Sequence, residues 1–249
     1  MDFMKTQFIV FIGMASVALS FSSAVYAQDE ANDFTLSANV GFYSDYIFRG
    51  YTQTDNNPAL QGGFDVTHSS GLYLGNWSSN VSWATDSGIM QNNSIETNLF
   101  GGFKKTLANV EFDLGVLQYF YPGDDTANAV EANATEAYIG ASKEFTKAVV
   151  SAYVYFVVSN DSWGISDTQG SQYYTLDLDL PVGETALTAG LHLGNQQFEG
   201  AGNAGHDYTD WKVNLDYALN DHYSAGAFYT GTDMDKLTWT VNGQFLGDD

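Results

Sequence analysis

From Phe34 onward the chain alternates apolar and polar positions in short runs, broken by polar or glycine-rich stretches. A period of two puts successive side chains on opposite faces of a strand. The first run sets Phe34, Leu36, Ala38, Val40 and Phe42 against Ser37, Asn39 and Gly41. The second, from about Ala59 to Thr67, sets Leu60, Phe64 and Val66 against Gln61, Gly63 and Asp65. A third sets Tyr73, Trp77, Val81 and Trp83 against Asn76, Ser78, Asn80 and Ser82. The fourth opposes Ile95, Thr97, Leu99 and Phe103 to Glu96, Asn98 and Gly102; the fifth opposes Val110, Phe112, Leu114 and Val116 to Glu111, Asp113 and Gly115. A fainter sixth spans Thr135 to Ala141 and includes Glu136. Five more follow, on the apolar rows Val150–Val158, Tyr174–Leu180, Leu187–Leu193, Thr209–Tyr217 and Tyr223–Tyr229. The last sets Leu237, Trp239 and Val241 against Thr238, Thr240 and Asn242.

About twelve strands result, and their connections alternate in length. Tight breaks such as Pro181-Val182-Gly183-Glu184 and Leu219-Asn220-Asp221 take turns with long ones such as Tyr121–Ala134 and Asn160–Ser171. Membrane barrels of bacteria have an even strand number, short turns at one rim and long loops at the other. Tyr73, Trp83, Tyr174, Trp211, Tyr217, Tyr223 and Tyr229 end the apolar rows, where interfacial aromatic girdles are expected. The expected fold is therefore all-β, an antiparallel transmembrane β-barrel of about twelve strands. A soluble β-sandwich with an aromatic core is the alternative, and it gives no reason for connection lengths to alternate.

The barrel is expected to occupy residues 28–249. Residues 1–27 read as a cleavable signal peptide. Lys5 lies before the apolar run Phe8–Leu19, and Ala24-Val25-Tyr26-Ala27 forms a small-x-small site ahead of Gln28-Asp29-Glu30. The run is too short for a spanning helix. The chain has no cysteine, which removes disulfides, thiol nucleophiles and cysteine metal sites. Its net charge is −22, and the leader holds one acid and one base, so cleavage leaves that value unchanged. Such an acidic chain is unsuited to nucleic acid. The expected location is the outer membrane of a Gram-negative bacterium. Expected partners are outer-membrane lipid including lipopolysaccharide, the barrel-assembly machinery and small polar solutes.

The segment from Ser37 to Val81 resembles the TorF family, also called the Gcw_chp family, whose members are assigned as outer-membrane porins. The residues that carry the resemblance are Ser44-Asp45-Tyr46-Ile47-Phe48-Arg49-Gly50, Gln53-Thr54-Asp55, Pro58-Ala59-Leu60-Gln61-Gly62-Gly63, Gly71-Leu72-Tyr73-Leu74-Gly75-Asn76-Trp77 and Ser79-Asn80-Val81. The resemblance implies an outer-membrane location and a pore, and it brings no substrate. One departure is the terminus: outer-membrane barrels commonly end on an aromatic residue, whereas Phe245 is followed by Leu246-Gly247-Asp248-Asp249.

With the apolar rows facing lipid, Asp65, Glu96, Glu111, Asp113, Glu136, Asp177, Asp179, Asp210 and Asp216 point into the lumen. The only bases expected there are Lys212 and, if the first strand's register continues through Asp45, Arg49. A channel lined by one sign of charge concentrates the opposite ion. The expected activity is passive passage of small polar solutes, preferring cations or zwitterions. Taken singly, each acid is better read as structural, paired with Lys212, Arg49 or a tyrosine hydroxyl; as a group, the excess of acid survives any such pairing. Arg49 is the only arginine; it is expected either to clamp an inward acid or to set selectivity at a constriction. The rival is a non-conducting, plugged barrel acting as receptor, adhesin or structural protein. The acids of the long loops have no calcium-loop spacing, so no metal or other cofactor is expected. Neither G-x-S-x-G nor H-E-x-x-H accompanies His68, His192, His206 or His222, and no enzyme activity is expected.

Overall fold

The computed structural model describes residues 33–235 in full, and the backbone alone of 19–23, 240–241 and 244–245. Alternating rows of one apolar and one polar face have a natural solution when the sheet closes on itself, because closure removes both edges. That is what the chain does. In order, β1 is Leu19–Ser23, β2 Phe34–Tyr43, β3 Ile47–Phe48, β4 Tyr51–Thr52, β5 Ala59–His68 and β6 Leu72–Asn80. A single helical turn, α1, covers Trp83–Asp86. Next come β7 Ile95–Leu107, β8 Val110–Phe120, β9 Ala134–Phe145, β10 Ala148–Val157, β11 Gln172–Pro181 and β12 Leu187–Gln197. The chain continues with β13 Tyr208–Ala218, β14 Tyr223–Thr232, β15 Thr240–Val241 and β16 Gln244–Phe245. Twelve of these form one closed antiparallel barrel; β3 with β4, and β15 with β16, form separate two-stranded pairs.

The outward rows are exposed and apolar. Leu36, Phe42, Leu60, Leu99, Leu114, Ile139, Leu176, Leu193 and Leu215 are all about half exposed, an arrangement that suits lipid and not water. Tyr174, Trp211, Tyr217, Tyr223 and Tyr229 also face outward. The alternation of connections holds. β7 turns into β8 through Ala108-Asn109 alone, both with positive φ, as the tightest hairpins require. At the other rim 121–133, 158–171 and 198–207 are long.

Three expectations fail. In β6 the faces are reversed. Leu72 and Leu74 point to lipid, whereas Tyr73 and Trp77 point inward, so Tyr73 does not belong to the girdle. Trp83 also leaves it, being buried in α1 beyond the strand's end. Aromatic side chains with polar tips pack as readily in a hydrogen-bonding interior as at an interface. The third failure is the twelfth strand. The barrel place expected for 237–242 is taken by β1, from the segment read as leader, while Thr240–Val241 pairs with Gln244–Phe245. β2 and β14 run parallel to each other, so an antiparallel strand must stand between them. β1 does so through five residue pairs with β2 but only three with β14. The rest of the leader and the cleavage site lie outside the described residues.

Candidate functional site

The lumen divides into two layers. Its outer layer, toward the long loops, is blocked by part of the connection between β2 and β5. Phe48 pairs with Tyr51 across Arg49-Gly50, whose φ angles are +47° and +86°. Two positive φ values make the tight hairpin turn that suits strand twist. Gly50 adopts its value without cost, while Arg49 holds a conformation that disfavours a Cβ. The hairpin β3–β4 thus hangs into the barrel with Arg49 at its tip. Tyr46, Ile47, Phe48, Tyr51, Thr52, Gln53 and Thr54 are all buried. Gly50 itself lies so close to the wall that an added Cβ would stand 2.5 Å from Asp210 Cβ.

Arg49 makes the decisive contact. Its Nη2 donates to both oxygens of Glu136, at 2.9 and 2.7 Å, and its Nη1 donates to Gln196 Oε1 at 2.8 Å. The Glu136 side chain has no exposure, and the Tyr119 hydroxyl donates to its Oε2 at 2.9 Å. Aromatic faces surround the guanidinium. Its carbon lies 4.0 Å from the Tyr173 ring centre, 4.9 Å from Phe48, 5.5 Å from Tyr155 and 5.6 Å from Trp163. Burial pulls the Arg49 pKa down, but the charge and hydrogen bonds of Glu136 together with Tyr119 and Tyr173 raise it by more, and the group stays above its ordinary value.

The base of the hairpin is held by neutral donors. Asp45 Oδ1 accepts from the hydroxyls of Thr52 and Thr54, at 2.8 and 2.6 Å. Burial raises the Asp45 pKa, and these two hydrogen bonds partly oppose the rise. Glu96, buried in β7, accepts from the Tyr46 hydroxyl at 3.0 Å, the Tyr121 hydroxyl at 3.2 Å and Asn98 Nδ2 at 2.6 Å. The backbone amides of Ser82 and Trp83 donate to Gln53 O at 2.8 and 3.2 Å, tying α1 over the hairpin. A recess of about 750 Å³, counting its open solvent space, reaches from the rim to Arg49 and Gln196 past Phe48, Trp83, Trp163 and Tyr208.

In the inner layer no loop intrudes among the described residues, and the charges other than Asp113 and Asp210 are less buried. Lys104 stands 3.9 Å from Glu111 and 4.0 Å from Asp113. Asp113 also accepts from the Tyr73 hydroxyl at 2.7 Å, and Tyr73 and Tyr138 share a very short hydrogen bond. His192 presents Nδ1 to Asp177 at 2.6 Å and Nε2 to Asp210 at 3.1 Å, and Tyr173 donates to Asp210 at 2.9 Å. Lys212 lies in the field of Asp177, Asp179, Asp210 and Asp216. Asp65 lies near Lys104, and Asp179 is exposed near the short-turn rim.

All nine expected acids therefore sit on inward rows, but they do not form one ring. Arg49 is inward for a different reason than expected: the hairpin carries it there, not a continued strand register. Lys104 and three tyrosines were missed. The expected fourth row stopped at Phe103 and so left out Lys104, although it shares the even-numbered row of Glu96, Asn98 and Gly102. The inward tyrosines 119, 138 and 173 share parity with Asp113, Glu136 and Asp177, which was the available signal. Among the described residues no group of acids and histidines is arranged to hold a metal ion.

The residues 44–50 that carry the sequence resemblance are the ones that enter and close the lumen. A family profile described as a bacterial protein of unknown function (Gcw_chp) matches residues 27–249. The chain belongs to the Gcw_chp family. No curated protein matches it in sequence. Among solved structures it is similar to Acinetobacter baumannii OccAB4, with TM-score 0.39, 9% identity, and coverage of 87% of this chain and 72% of that one. Pseudomonas aeruginosa OpdL gives TM-score 0.37, 11% identity, and coverage of 80% and 68%. A mutant of the Rh. blastica porin gives TM-score 0.28, 11% identity, and coverage of 86% and 96%. These scores are too low for details of the Gcw_chp barrel's interior to be taken from them.

Proposed function

We propose that this Gcw_chp barrel is an outer-membrane, porin-like passage for small polar solutes, preferring cations or zwitterions, and closed here by its own hairpin. The observation that carries the reading is the hairpin's attachment. β3–β4 is bound to the wall by hydrogen bonds, one ion pair and the packing of Phe48 and Tyr51 on Tyr119, Trp163 and Tyr208, with no strand pairing to the barrel. Contacts of that kind can be exchanged for water or solute, whereas barrel strands cannot leave. The preference for positive charge follows from nine inward acids set against Arg49, Lys104, Lys212 and His192. Lipid including lipopolysaccharide at the apolar belt, and the barrel-assembly machinery during insertion, complete the proposed partners.

The second reading is a permanently filled barrel serving as receptor, adhesin or structural protein. The packing of Tyr119, Tyr138, Tyr153, Tyr155 and Tyr173 inside the barrel favours it. Planar-bilayer recordings of the full chain, refolded and shown to be inserted, separate the two. The gated passage gives brief cation-preferring steps that lengthen in Arg49→Met. Silence from both proteins leaves the filled barrel.

A further inference from the structure

We infer that the recess formed by Glu136, Gln196 and Tyr173 is a binding site for guanidinium-bearing solutes, which Arg49 occupies as an internal stand-in. The inference rests on the gated-passage reading only for how such a solute travels onward.

The wall supplies what a planar cation needs. Glu136 offers two acceptor oxygens and Gln196 one, all three engaged by the guanidinium in this structure. The Tyr173 ring centre lies 4.0 Å from the guanidinium carbon, with Tyr155 and Trp163 farther out. None of these five residues belongs to the hairpin. Aromatic faces and fixed acceptors together favour a delocalised, weakly hydrated cation over a compact ammonium.

When the hairpin leaves, Glu136 keeps only the Tyr119 hydroxyl. A fully buried carboxylate without a counter-ion is strongly unfavourable. Among the described residues, the other inward bases cannot replace Arg49: Lys104 stands against Glu111 and Asp113, and Lys212 among four aspartates. Water from the opened recess compensates it only in part, so a cation from outside is the favoured replacement. The recess that reaches Arg49 and Gln196 from the rim provides its entry. Solute and hairpin tip then exclude each other, so the solute that fits best is also the one that opens the barrel.

The test uses the full chain folded in detergent, followed by thermal melting and tryptophan fluorescence. In Arg49→Ala, millimolar methylguanidinium should raise the melting transition saturably. Methylammonium should bind roughly tenfold more weakly, since it lacks a second donor nitrogen to reach Gln196 while the first holds Glu136, and it is the more strongly hydrated cation beside the Tyr173 ring. Urea at the same concentration should do nothing, and Glu136→Gln in the same background should abolish the effect. Should Arg49→Ala fail to fold, Arg49→Met, which keeps bulk without charge, carries the same test. In the unmodified protein, argininamide should speed amide exchange at Phe48 and Tyr51, which a merely structural clamp would not show. The inference is overturned if methylguanidinium acts no better than methylammonium, or acts equally with Glu136 replaced. Binding retained in a protein that never conducts would overturn the passage and leave the site standing.

Discussion

Arg49 and Glu136 are 87 positions apart in the chain, yet one guanidinium nitrogen reaches both oxygens of a carboxylate that has no exposure. Removing one partner of such a pair leaves a buried charge uncompensated, at a cost of about 3–5 kcal/mol. Glu136→Ala should therefore undock the hairpin and not merely loosen it. In bilayers the open fraction should rise at least tenfold over the unmodified protein, and Arg49→Met should behave similarly because it removes the same pair. An open fraction unchanged in both variants would show that the hairpin is no gate.

Gly50 offers a test that leaves all charges in place. Its φ of +86° and the 2.5 Å approach to Asp210 Cβ make any side chain both strained and sterically blocked. Gly50→Ala should weaken docking by about 1–2 kcal/mol from backbone strain alone, and Asp210 must shift as well. Recordings should show longer openings with unaltered ion preference. An altered preference with unaltered open time would mean that Gly50 shapes the lumen and not the hairpin.

The inner layer should set selectivity. Asp177, Asp179 and Asp216 are less buried than Glu96, Glu136 or Asp210, so passing ions meet them directly. Changing the three to Asn in the Arg49→Met background should move the reversal potential in a salt gradient toward the neutral value. The unit conductance for cations should fall together with it. Glu96→Gln should leave the reversal potential in place, because Tyr46, Asn98 and Tyr121 already enclose that carboxylate.

The seam between β2 and β14 yields a fourth prediction. β1 pairs with Tyr223–Ala225 of β14 and leaves Gly226–Thr232 without a partner strand on that side among the described residues. Backbone groups facing hydrocarbon must be satisfied, at several kcal/mol for each that is not. Once residues 1–27 are removed, the alternating segment 237–245 should take the vacant place. Amides of β14 in residues 28–249 should then exchange slowly, and deleting 236–249 should make them exchange fast. Equal exchange in both proteins would assign the seam another solution.

The barrel was legible because lipid and water select opposite residue types on alternate positions, and ten of the eleven rows from Phe34 to Tyr229 face as their apolar residues demand. β6 is the exception. Its Tyr73 and Trp77 were counted as apolar, although each has a polar tip that the interior can use; Leu72 and Leu74 were the residues that faced lipid. The hairpin was not legible. Its strands are two residues each, too short for a period to register, and its turn is Arg-Gly where Asn-Gly or Asp-Gly would have announced it. Lys104 was lost by ending β7 too early, since the strand runs to Leu107. Pairings such as Arg49 with Glu136 depend on which rows meet across the lumen, and alternation along one strand does not contain that information.

In the proposed passage, a hairpin that hangs from one rim and bears a positive tip would also sense voltage, with a preferred direction. A full elementary charge crossing the whole membrane field is worth about 2.3 kcal/mol per 100 mV, and a tip moving through part of it feels a share of that. A field that drives cations from the short-turn rim toward the long-loop rim lifts Arg49 off Glu136. The opposite field presses it home. Current through this barrel should therefore rectify, and the polarity of the rectification reports which rim carries the hairpin.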